Sequence, residues 1–133
     1  MPLTADRHTP YMNGELVSMA LAAGAEVFAG ALVVANATGY VAPGSTATGL
    51  TYLGRAEEHV DNSAGADGDE QVLVRRRQAF RFSNSDSDPV GQSLLGKRCY
   101  IVDDETVAGT DGTGTRSEAG VVIGVDDDGV WVE

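Results

Sequence analysis

Gly54 to Phe82, GRAEEHVDNSAGADGDEQVLVRRRQAFRF, is the stretch whose reading sets the fold class. A short apolar run, Leu50 to Leu53, leads into it, and a polar, glycine-rich segment from Asp61 to Asp69 follows. Gly65 and Gly68 supply positive φ where other residues are strained, and Asn62, Asp67 and Asp69 can bond nearby backbone, so this segment is a turn with a mechanism. Gln71 to Phe82 then reads as the longest strand of the chain. Val72, Val74, Phe80 and Phe82 fall on one parity and Arg75, Arg77 and Arg81 on the other, the period-two signature of a strand with one buried face. Arg76 and Gln78 interrupt the apolar parity, which predicts a bulge or an exposed middle there.

Outward from that stretch, composition sets the bounds. A chain of 133 residues is expected to form one domain with a single core. Glycine, at 17 of 133 residues, is near twice its usual share of roughly 7%. With four prolines and almost no amphipathic helix pattern, this predicts many tight turns and an all-β class. A hydrophobic fraction of 42% and a charged fraction of 22% exclude global disorder. Twenty acidic residues face nine basic ones, a net charge of −11, and Lys97 is the single lysine. Such a field repels nucleic acid and anionic membranes, so direct partners of those kinds are not expected. Cys99 is alone, which leaves no internal disulfide, and its strand-like setting predicts a buried, inert thiol. The apolar stretch Leu16 to Ala35 is broken by Gly24, Glu26 and Gly30 and lacks a preceding basic region, so neither a membrane span nor a secretory signal is expected.

Along the chain, residues 1–15 read as an extended N-terminal arm and 16–133 as a single β domain. The arm carries Pro2 and Pro10 and has no apolar periodicity; Leu3, Tyr11 and Met12 are its candidate anchors against a neighbouring subunit. Leu16–Ala22 alternates as a strand, Ala23–Gly30 turns, and Ala31–Ala35 is a compact apolar strand. Asn36–Gly39 is a hairpin connection, and Tyr40–Ala42 returns. Ser83–Pro89 is a surface loop, Val90–Arg98 a connector, and Asp103–Glu118, with three glycines and four threonines, a long mobile loop. Val121–Val125 and Val130–Val132 form the final hairpin about Asp128-Gly129. About eight short strands at roughly 8–12-residue spacing predict a small β-sandwich or barrel.

Motifs that would carry chemistry are weak. Gly91–Lys97, GQSLLGK, matches the first seven positions of a phosphate-binding loop, but Arg98 stands where Ser or Thr must hold magnesium, and no helix pattern follows. Asp126-Asp127-Asp128-Gly129 resembles the start of a calcium loop, yet no Glu stands at the twelfth loop position. Asp67, Asp69 and Glu70 read as a solvated turn. His8 and His59 have no nucleophile pattern beside them. The Arg75-Arg76-Arg77 run alternates faces on a strand and so cannot present three charges to one phosphate track; salt bridges within the chain or across an interface account for it. These patterns predict no catalytic residue, no cofactor and no metal site.

Gly54-x-Ala56 followed by Asp61-Asn62-Ser63-x-Gly65-Ala66-Asp67-Gly68-Asp69-x-x-Val72-x-Val74 resembles the small head-decoration, or capsid cement, proteins of tailed bacteriophages of the Mu-like group. Gly30–Val34 with Gly39-Tyr40, Cys99–Asp104, and Ala119–Val122 through Asp128–Val132 fit the same pattern, so the likeness spans about residues 24 to 132. The resemblance implies a jelly-roll-like, β-tulip-like or OB-like module, a homo-dimer or homo-trimer, that is made in the host cytoplasm. It would sit on the outer capsid surface of the virion and bridge subunits of the major capsid protein. Leu3, His8, Tyr11 and Met12 of the arm, with Arg75, Arg76 and Arg77, are the candidate capsid or subunit contacts. The alternative is an outward-facing module that binds glycans or host surfaces through loops 45–49 and 103–118, which hold no aromatic residue. A third option is a β-barrel enzyme whose site forms between subunits from His8, His59 or an Asp pair.

Overall fold

The computed structural model describes residues 1–133. Twelve strands and one three-residue 3-10 turn, Gln92–Leu94, make an all-β protein. In chain order the strands are β1 (Leu16–Ala20), β2 (Glu26–Val27), β3 (Leu32–Ala35), β4 (Val41–Pro43), β5 (Thr51–Ala56) and β6 (Val60–Asp61). They continue as β7 (Gln71–Arg75), β8 (Phe80–Asn84), β9 (Arg98–Ile101), β10 (Thr106–Ala108), β11 (Glu118–Asp126) and β12 (Gly129–Val132).

The strands form two bodies. The first is a five-stranded sheet in the order β1-β7-β5-β3-β4. Its two edges approach each other, because Leu21, just past β1, bridges Val41 of β4, and the Ala22 N–H donates to the Val41 carbonyl at 2.8 Å. The second body is a closed five-stranded barrel, β10-β8-β12-β11-β9, in which β10 completes the ring by pairing parallel to β8 and antiparallel to β9. Closure removes the unpaired edges that would otherwise attract other strands. β2 and β6 make a minimal ladder beside the first sheet.

The core is divided where a single core was expected. Twelve buried residues, among them Phe80, Phe82, Cys99, Ile101 and Val130, fill the barrel, and eight, among them Leu21, Val27, Val72 and Val74, fill the sheet side. β3 joins them. Leu32 and Val34 point into the barrel cluster while Val33 and the preceding Ala31 point into the other, because side chains alternate across a strand. A strand buried on both faces reads as a continuous apolar run, as Ala31–Ala35 does.

The long strand expected from Gln71 to Phe82 is two strands in different bodies. Val72, Val74, Phe80 and Phe82 are all buried, but the first pair lies in the sheet cluster and the second in the barrel cluster. Arg76 to Ala79 carries the chain from one body to the other, and Arg77 there has φ +59°, the left-handed region that ends a strand. The interrupted parity marks this crossover, an exposed middle at Arg77 and Gln78, and not a bulge. The segment Asp103–Glu118 is likewise not one long loop, since Thr106–Ala108 is the strand that closes the barrel. Its remainder is tied down at Asp88, whose carboxylate accepts from the Thr110 hydroxyl at 2.5 Å and from Arg116 at 2.7 Å. The last hairpin turns at Asp127-Asp128, one residue earlier than expected, with Asp126 opposite Gly129. A Cβ at Gly129 would stand 2.3 Å from the Phe82 carbonyl oxygen, so β12 can lie against β8 only with glycine there.

Candidate functional site

A cleft of about 530 Å³ opens where β5, the Arg76–Arg77 crossover, β9 and the start of β11 meet. β5 contributes Tyr52 and Leu53, with Leu50 just before it; the crossover contributes Arg76 and Arg77, and β9 contributes Arg98. Glu118 and Glu133 stand on the same lining. Irregular pairing shapes both walls. β5 shifts register against β3 between the Val33 and Val34 pairs, which leaves Leu53 without an opposite residue, and β11 shifts against β9 between Glu118 and Val121. Such bulges re-aim side chains and are frequent beside binding sites. Gly120 allows the close approach of the far wall, because a Cβ there would meet the Glu133 carbonyl oxygen at 2.2 Å and the Tyr52 ring at 3.0 Å.

The charges of the cleft are unevenly satisfied. Arg98 lies 3.8 Å from Glu118 and donates to the Ala119 carbonyl at 3.4 Å. Arg76 and Arg77 take part in none of the chain's ion pairs. The Tyr52 hydroxyl is buried without a hydrogen-bond partner, and burial first, with nearby Cys99 second, holds its proton well above the ordinary phenol range. The site can therefore offer guanidinium donors to an anion and an apolar floor of Leu50 and Leu53 to whatever carries it.

The residues singled out in the sequence are dispersed. Leu3, His8, Tyr11 and Met12 lie in a segment without strand or helix, and Leu3, Tyr11 and Met12 are 70%, 98% and 75% exposed. The first fixed backbone bond to the sheet is the Arg76 N–H donating to the Glu15 carbonyl at 2.7 Å. Arg75 is separated from its two neighbours: it pairs with Glu57 at 3.0 Å, beside Arg55, which bonds the same carboxylate. Those bonds, Arg55 first and Arg75 second, hold the Glu57 carboxyl below its ordinary range. Arg76 and Arg77 do share one site, because the crossover replaces the strand on which they would alternate. His59 stacks on Phe28 at 4.7 Å and lies 2.8 Å from Glu26, far along the chain from His8. No group of three His, Cys, Asp or Glu side chains gathers as a metal shell would. Arg98 and Tyr52 were missed; nothing local marks them, since only the packing of β5 against β11 brings them to the arginine pair.

No family model, no curated protein and no solved structure matches this chain.

Proposed function

We propose that this chain is a structural virion protein that decorates a tailed-phage capsid, bridging major capsid protein subunits as a small homo-oligomer. One observation carries the reading beyond the motif likeness: the arm presents Leu3, Tyr11 and Met12 to solvent, joined through β1 to a folded β body. Large apolar side chains on an uncovered segment are stabilised when a partner surface covers them, and an extended arm orders at that moment.

Cementing is linkage. A ligand that binds the assembled shell and not free capsomers stabilises the shell by about 2.7 kcal/mol per site at a hundredfold excess over Kd. An oligomer touching several capsomers at once adds avidity without new contacts per copy. Summed over many sites, modest affinity resists the outward pressure of packaged DNA, while the −11 charge of each copy keeps it off that DNA.

The test is co-sedimentation with empty expanded heads, and a rise in the temperature at which the heads disrupt. Deleting residues 1–14 is expected to weaken attachment by tenfold or more, on the order of 1.4 kcal/mol, while the β body keeps its far-UV spectrum. A truncated chain that saturates heads with unchanged affinity would reject the arm as the attachment device. Failure of the full chain to bind any head would reject decoration itself.

A further inference from the structure

We propose that the cleft beside β5 binds a carboxylate carried on an extended peptide segment, with Arg76 and Arg77 as the receiving groups. For the surface that supplies the peptide it rests on the decoration reading; the chemistry of the cleft does not.

Acidic residues outnumber basic ones twenty to nine, so a cation on this surface finds a carboxylate easily. Arg55, Arg75, Arg81, Arg98 and Arg116 on the β body each lie within ion-pair reach of one. Arg76, Arg77 and Lys97 do not, and of these three only the two arginines line the cleft. Two adjacent guanidiniums that escape every internal acid are free for an external anion, and the planar fork suits a carboxylate.

The backbone supplies a second, independent observation. Arg77, at φ +59°, and Thr113, at +61°, are the two non-glycine residues in the left-handed region, and of the two only Arg77 lines the cleft. Strain of this kind persists where a side chain is needed, and it concentrates at binding sites. The choice between anions follows from the other lining groups. Glu118 and Glu133 oppose a dianion such as phosphate, but they can accept from the N–H groups of a peptide. Leu50 and Leu53 offer apolar surface to the side chains flanking a bound acid.

The test is calorimetric titration of the full chain with Ac-Leu-Ser-Glu-Ser-Leu-NH2, which carries one carboxylate, with the same peptide carrying Gln for Glu, and with inorganic phosphate. The Glu peptide is expected to bind saturably and the Gln peptide about tenfold or more weakly, the loss of a charge-assisted pair. Arg76→Ala should weaken the Glu peptide by a similar factor. Arg77→Gly relieves the left-handed backbone, so it should unfold at the same or a higher temperature while losing affinity, which separates binding from folding. Absence of saturable heat up to about 1 mM peptide, equal binding by the Gln peptide, or unchanged affinity in both variants would overturn the proposal. So would phosphate binding more tightly than the Glu peptide. Peptide binding by a chain that ignores heads would leave the cleft standing and remove decoration; head attachment with an empty cleft would do the reverse.

Discussion

Asn62 organises more backbone than any other side chain in the molecule. Buried in the acidic turn, its amide donates to the carbonyls of Ala22 and Ala66, both at 2.9 Å, and lies 3.4 Å from that of Leu21. Its backbone carbonyl accepts from the Gly24 and Gly65 N–H groups, each at 3.1 Å. Gly65 is needed there for space, not for positive φ, since a Cβ would stand 2.0 Å from the Asn62 Oδ1. Gly68 is the residue that takes positive φ, at +80°. Replacing Asn62 by Ala leaves buried carbonyls without donors, so we expect a loss of about 2–3 kcal/mol in urea unfolding. Asn62→Asp should cost more, because it aims a negative acceptor at those carbonyls. A loss below about 0.5 kcal/mol for Asn62→Ala would show that the turn holds without it. Residue types alone marked this turn as polar and tight. They could not show that its asparagine reaches forty residues back to the segment just past β1, because the partners are carbonyls that every residue carries.

β3 and the β7–β8 crossover carry the architecture. Because β3 is buried on both faces, truncating it should disturb both clusters at once. Leu32→Ala removes a fully buried side chain and is expected to cost about 2–5 kcal/mol, depending on how far the site relaxes. If β3 couples the bodies, far-UV circular dichroism and Trp131 fluorescence will report coincident transitions in both parent and variant. Separate midpoints would mean that barrel and sheet unfold on their own. The apolar run of β3 was legible as a strand, and so was the buried parity of Val72, Val74, Phe80 and Phe82. Which cluster each residue joins was not, since period-two patterning reports a face and not the body behind it. Thr106–Ala108 was lost in a glycine- and threonine-rich setting because three residues carry too little pattern to announce a strand.

For the molecule as a whole, pH probes the packing from two sides. Asp88, bonded first by Thr110 and then by Arg116, Asp126, bonded by the Asp128 N–H and the Trp131 indole, and Glu57 are all held below their ordinary values. The unfolded chain binds their protons more readily. The stability they contribute is therefore present above about pH 4 and lost as pH falls through their lowered native values. Thermal unfolding followed from pH 7 to pH 2 should show this decline, and Asp88→Asn should make it shallower. Burial drives the Cys99 thiol the other way, from 9.0 up to about 12, so its share of stability is present below pH 9 and disappears as pH rises towards 12. At pH 8 native Cys99 should resist iodoacetamide and react once urea exposes it; rapid alkylation of the native chain would contradict its burial. The all-β class, the turns and the buried parities were written in glycine count, charge and alternation, because these are local consequences of φ, ψ and hydrophobic period. The closed ring, the divided core and the meeting of Arg76, Arg77 and Arg98 arose only from long-range strand pairing, which depends on how distant segments pack and leaves no trace in any short stretch.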